Sequence, residues 1–218
     1  MSRMYNVFFF RERTSMRAGE RFNALSHLFA TFGVACYGVF LLLQQARQAD
    51  HGAVAGLACF VAAAMVTYAA STAFHSARGR VRPLLERIDN AAIFILIAGS
   101  YTPFALAAPR GELHVCLLAL VWCLAMFAGY RALKRKQPPE LGWYIGLGWI
   151  AVAAAFPVAM RASDGSLAWL LAGALAYSAG TVFYLNRMGW RHAHGVWHLC
   201  VFAGTTAHMT AVSQLTSS

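Results

Sequence analysis

Seven runs of about 20 residues with almost no charged side chain follow one another along this chain, separated by short charged connections. A bilayer's hydrocarbon core is about 30 Å thick, and a helix crosses it in roughly 20 apolar residues. Only a helix or a closed barrel satisfies every backbone N–H and C=O where no water is available. The runs fall at 22–45, 53–76, 88–108, 113–130, 141–160, 166–186 and 193–213. They predict an all-α polytopic membrane protein, with residues 1–218 forming a single seven-helix transmembrane domain. Composition agrees: 59% of the 218 residues are apolar and 12% are charged, against roughly 45–50% and 25% in soluble domains. So few charges cannot solvate a surface of this size. The same figures exclude a disordered chain. The five cysteines are odd in number and show no CxxC pair, so they are expected to be small buried hydrophobes. Phe8-Phe9-Phe10 is stopped at once by Arg11, too short a run for a signal peptide.

The net charge of +10 excludes nucleic acid as a partner, because the basic residues form clusters beside the apolar runs rather than one patch. One side collects Arg3, Arg11, Arg13, Arg17, Arg21, Arg78, Arg80, Arg82, Arg87, Arg131, Lys134, Arg135, Lys136, Arg187 and Arg191. Arg47, Arg110 and Arg161 are left for the other. By the positive-inside rule the N-terminus is cytoplasmic and the C-terminus outside. Gly142 and Gly146, four apart in the fifth span, have the spacing of a close helix contact. Pro103 and Pro157 lie within spans and are expected to kink them. The six tryptophans mostly fall toward span ends, where amphipathic rings favour the interface.

Inside the seven spans there is one acid, Asp89, and no Lys or Arg. An ionisable group at membrane depth is costly and marks a functional site by default, although Asp89 also stands where an exposed acidic helix cap could stand. Histidines share its leaflet. Four residues turn a helix through about 400°, so Ser71 and His75 share a face at the end of the second span. His194 and His198 do the same at the start of the seventh. Three neutral imidazoles with an open fourth position are the donor set of a catalytic zinc site, and an i, i+4 pair plus a third ligand from elsewhere suits a tetrahedral ion. Helix–helix hydrogen bonding is the competing use of such histidines, and a haem between paired histidines is another. His27 sits at the right depth to support a metal ligand. His208 lies about 15 Å deeper than His198 along one helix and is expected to bond between helices. His51, His114 and His192 read as loop or boundary residues.

Glu20-Arg-Phe-Asn23-Ala-Leu-Ser-His27, Ser71-Thr-Ala-Phe-His75, Asp89, Ala98-Gly-Ser-Tyr-Thr-Pro103 and His194-Gly-Val-Trp-His198 occur here in that order. This set resembles the bacterial haemolysin III family, which belongs with the progestin and adiponectin receptors and is more distantly similar to the alkaline ceramidases. The resemblance spans nearly the whole chain. It implies a multi-pass protein of the bacterial inner (plasma) membrane, with Zn²⁺ held near the cytoplasmic face by His75, His194 and His198. It also places Ser71 and Asp89 near the metal-bound water. Asp89 then accepts a proton from that water or orients it, and Ser71 holds Asp89, the water or an oxyanion. Hydrolysis of an amide or ester bond of a membrane lipid, as in a ceramidase-like amidase, is the expected reaction. The alternative class is non-enzymatic: zinc staples spans two, three and seven, and the output is lipid homeostasis, sensing or haemolysin-type cytolysis. The receptors' long N-terminal region has no counterpart here, so the resemblance does not carry over a receptor partner, and protein partners stay open. A membrane lipid is the expected partner, as substrate or ligand, and a homo-oligomer is compatible with the sequence.

Overall fold

A computed structural model describes residues 20–47, 51–108, 112–135 and 137–215. Arg3, Arg11, Arg13, Arg17, Arg110 and Lys136, counted above for orientation, lie outside the described residues, as does the Phe8–Phe10 run. Among the described residues there are seven long helices and no strand. They are α1 (Glu20–Ala46), α2 (His51–Ser76), α3 (Arg82–Ala107), α4 (Glu112–Lys134), α5 (Leu141–Ala162), α6 (Asp164–Leu185) and α7 (Ala193–Ser213). Each overlaps one expected span. The widest difference is at α3, which begins at Arg82 instead of residue 88. Pro83 in its first turn favours that start, since the N–H that proline lacks has no helical partner there anyway.

Six of the seven helices are long and apolar enough to cross a membrane. The remaining helix, α7, is too polar by composition because it carries His194, His198, His208, Thr205, Thr206, Thr210 and Ser213. Its polar groups turn inward: His198, Thr205 and His208 are all buried. The fold is that of a polytopic all-α membrane protein. Helix α7 packs mainly on α6 and also on α1, α2 packs mainly on α3 and α1, and α3 further touches α4, α5 and α7. Large side chains such as Leu25, Phe29, Phe32 and Phe40 point outward, while Ala30, Ala64, Ala98, Ala159 and Ala211 are fully buried. Lipid tails solvate leucine as well as a protein interior does, so small residues that let backbones approach are what hold such helices together.

Some sequence expectations are corrected. An added Cβ at Gly142 or Gly146 would meet open space, so that pair makes no close helix contact. The spacing was right but the face is unpartnered. Gly56 and Gly99 serve at the α2–α3 contact instead, where a Cβ would strike Pro103 and Ala63 respectively. Cys36, Cys116 and Cys123 are exposed rather than buried, because an apolar run in lipid has no need to hide them. Trp122 is inside the bundle, its Nε1–H donating to Thr102 Oγ1 at 3.1 Å. Pro103 and Pro157 lie inside α3 and α5, within the spans expected to hold them.

Two local devices set the ends that carry the site. Beyond α2, Gly79 adopts φ +68° in the short connection to the 3-10 turn Gly79–Val81. Arg82 then donates back to the carbonyls of Phe74 (3.2 Å) and Ala77 (3.5 Å), with its guanidinium 4.4 Å from the Phe74 ring centroid. A cation at the last carbonyls caps a helix C-terminus, and this one caps α2 next to His75. Before α7, Asn186 closes α6 in the left-handed conformation (φ 41°). Its side chain accepts from Trp190 N at 2.7 Å and donates to Trp190 O at 3.0 Å. That double bond pins the turn leading to His194.

Candidate metal centre

His75 ends α2, and His194 and His198 open α7. Their ring centroids lie 5.1 Å (His75–His194), 5.0 Å (His75–His198) and 4.5 Å (His194–His198) apart. One ring nitrogen from each lies within 4.8 Å of the others, close enough for one metal ion. The Nε2 atoms of all three rings are buried with no hydrogen-bond partner. Buried polar nitrogens are normally satisfied, so three orphans on rings this close together point to one common partner. The donor set fits a divalent metal.

The opposite ring nitrogens explain why the Nε2 atoms are available. His75 Nδ1 lies 2.5 Å from Glu20 Oε2. A carboxylate only accepts, so Nδ1 carries the proton and Nε2 keeps its lone pair. His198 Nδ1 lies 3.0 Å from Ser26 Oγ, and the Ser26 hydroxyl donates its one proton to Asn23 O at 2.8 Å. The bond to His198 must therefore be donated by Nδ1–H, which again leaves Nε2 as the acceptor. Both tautomers are fixed from α1.

Glu20 and Ser26 lie beyond the residues given roles from the sequence. The first span was read from residue 22, and Asp89 as the one buried acid. In the structure α1 begins at Glu20, whose side chain is only 14% exposed. Arg82, which also lies before the third span read from the sequence, falls in the first turn of α3, and its Nη2 meets Glu20 Oε1 at 2.5 Å. The available signal was the spacing Glu20, Asn23, Ser26, His27, which places four polar residues on one face of the first two turns.

His27 stands beside the three ligands rather than among them. Its ring centroid is 3.7 Å from that of His198 and 6.4 Å from that of His75, and its Nδ1 is buried without a partner. It also lines a cavity of about 130 Å³ that runs between α3, α5, α6 and α7. Ser71 and Asp89 line the same cavity. Asp89 is therefore beside a histidine-walled cavity, outside the group of three ligands. The rest of the wall is mainly apolar, with Ile97, Ile145 and Val152 among its residues. His208, at the far part of the cavity, is 3.1 Å from Leu170 O and makes the interhelical bond expected of it. His51 starts α2, His114 sits in the first turn of α4, and His192 precedes α7, all clear of the three ligands.

Comparison with known proteins places this geometry. The "Hemolysin-3 homolog" of Bacillus subtilis (strain 168) is 32% identical over 173 residues, covering 78% of this chain and 81% of that protein. "Hemolysin-3" of Bacillus cereus is 31% identical over 172 residues, covering 77% of this chain and 78% of its own length. The family model described as haemolysin-III related matches residues 16–209, which take in every residue of the centre. The chain belongs to the haemolysin-III related family.

Proposed function

We infer that His75, His194 and His198 hold zinc with one position left for water, and that the protein hydrolyses an amide or ester bond of a membrane lipid. One observation carries this reading: three histidines with unpartnered Nε2 atoms group within reach of one ion, and His27, whose ring centroid lies 3.7 Å from that of His198, lines a cavity that also bears Ser71 and Asp89. A structural zinc site closes with a fourth protein ligand, whereas a catalytic one keeps a position open. Among the described residues, the group contains three members. When bound, zinc supplies Lewis-acid polarisation of a carbonyl and brings the pKa of a coordinated water to about 7. Asp89 takes the proton from the attacking water and delivers it to the departing amine or alcohol. Ser71 holds that carboxylate in place by donating to it. The apolar wall of α3 and α5 receives the lipid's tail. Charge asymmetry supports a cytoplasmic position for this end of the bundle, in the inner membrane of a bacterium.

The test uses purified protein in nanodiscs, with zinc content measured by mass spectrometry and a panel of ceramides, acyl amides and glycerolipids as substrates. Wild type is expected to carry about one zinc and to release fatty acid from one class. Asp89→Asn should keep the zinc and lose about 10²- to 10⁴-fold in rate. A zinc-loaded wild type inert across the panel refutes hydrolysis, and an Asp89→Asn variant as fast as wild type refutes the role given to Asp89. The names of the two Bacillus relatives favour a second reading, cytolysis of the haemolysin type. Dye release from vesicles that persists in His198→Ala would support lysis over hydrolysis.

A further inference from the structure

Glu20 is placed between a cation and a metal ligand. Its Oε1 accepts from Arg82, and its Oε2 faces His75 Nδ1 and also accepts from Asn23 Nδ2 at 3.3 Å. Three donors on three helix ends therefore converge on one carboxylate, which is 14% exposed against 23% for Arg82 and 3% for His75. A surface ion pair would contribute little. Here Arg82 is itself tied to a carbonyl in the last turn of α2, that of Phe74, and to the carbonyl of Ala77 just beyond it, one residue before and two after His75. Backbone, guanidinium, carboxylate and imidazole form one closed loop around the end of α2.

We propose that Glu20, clamped by Arg82, is a positioning residue for the metal centre: it holds His75 in the tautomer and ring orientation that turn Nε2 to the ion, and it strengthens Nε2 as a donor. A carboxylate behind a metal-bound imidazole fixes the tautomer and raises ligand basicity. Ser26 does the first of these for His198 with a neutral oxygen. His75 is thus the ligand with anionic support, and loss of Glu20 weakens binding more than loss of Ser26. This assignment rests on the three-histidine centre binding a divalent metal, and is independent of which bond, if any, is hydrolysed.

Cobalt(II) is the probe, because its visible absorption reports the ligand field directly. The full-length protein is stripped of metal in detergent and titrated with cobalt chloride, then with zinc in competition. The metal-free melting temperature is recorded alongside. Glu20→Ala should weaken binding about 100-fold and Glu20→Gln, which keeps an acceptor oxygen but no charge, about 10-fold. Ser26→Ala should lose less than Glu20→Ala. Both Glu20 variants should also shift the cobalt absorption bands, which a residue that merely packs would leave in place. Arg82→Gln should move affinity in the same direction by a smaller factor. Glu20→Gln is nearly isosteric and carries the test if the alanine variant fails to fold. If it binds cobalt within threefold of wild type with an unshifted spectrum, the assignment to Glu20 is overturned, whatever happens to the melting temperature. A wild type that takes up no cobalt or zinc overturns the metal centre itself and this assignment with it.

Discussion

Thr205 joins three helices at one atom, and replacing it with valine tests whether such polar stations set the register that the metal centre needs. The Thr205 hydroxyl donates to Val201 O at 3.0 Å, so both contacts at its oxygen must be donated to it. They come from Tyr68 of α2 and Tyr177 of α6, each at 2.7 Å. Tyr68 lies two turns before His75 and Thr205 two turns after His198, about 10 Å from the centre on each helix. Valine keeps threonine's shape, so no cavity term arises. Tyr68 is fully buried, and its nearest substitute acceptor is Val201 O at 3.5 Å. An orphaned buried hydroxyl costs about 1–3 kcal/mol. Tyr177 borders the cavity and can be rehydrated, which limits its share to about 0.5 kcal/mol. Interhelical hydrogen bonds in bilayers average about 0.6 kcal/mol and reach about 1.7. Together these give about 2 kcal/mol for Thr205→Val and under about 1 for Thr205→Ser. The assay is reversible unfolding in mixed micelles titrated with dodecyl sulfate, with metal chelated so that binding does not mask the change. Tyr68→Phe in the valine background removes the orphan and should recover about 1 kcal/mol of the summed single losses. A valine variant within 0.5 kcal/mol of wild type, or a strictly additive pair, would refute the reasoning.

Two further outcomes follow from the same coordinates. Zinc at 100 times its dissociation constant should stabilise the protein by about 2.7 kcal/mol, read as the loss on chelation; His198→Ala should show no such loss, and a full metal-dependent shift in that variant would contradict the ligand assignment. Gly56→Ala puts a Cβ 2.7 Å from Pro103 Cα, a backbone atom that cannot step aside, and should cost about 1–3 kcal/mol. Gly146→Ala meets open space and should be neutral or slightly stabilising, by under about 1 kcal/mol; the reverse order in unfolding titrations would restore Gly146 as a packing glycine.

The spans were legible because water is absent from a bilayer core and charge therefore avoids it. The same rule hid the ends. Glu20 and Arg82 look like residues outside the membrane, yet they neutralise each other inside the first turns of α1 and α3. The three-histidine group was legible because His194 and His198 are one turn apart on one helix and His75 ends a neighbour at the same depth. Their supports were not, since Glu20 lies 55 residues from His75 and Ser26 lies 172 from His198. No local spacing encodes a tertiary hydrogen bond. The glycine pair in α5 shows the converse. Spacing puts two glycines on one face, but whether a helix lies opposite that face is decided by the other six.

Helix α7, too polar by composition for a spanning helix, gains its place from that polarity. At one end His194 and His198 meet α2, with Ser26 of α1 behind His198. Midway, Thr205 takes the hydroxyls of Tyr68 and Tyr177, and His208 reaches Leu170 O of α6. A Cβ at Gly173 would strike the His208 ring, so α6 is notched where that ring enters. At the other end Ser166 Oγ donates to Ala211 O at 3.0 Å, and Ser163, the N-cap of α6, donates to Gln214 Oε1 at 3.2 Å. Apolar packing in lipid leaves helices able to slide, because tails and leucines solvate one another equally well. Directional bonds at three depths do not. They fix how far α7 stands in the bundle, and so how far His194 and His198 stand from His75. The residues that make α7 a poor hydrocarbon helix are the ones that hold its histidines in the three-histidine group.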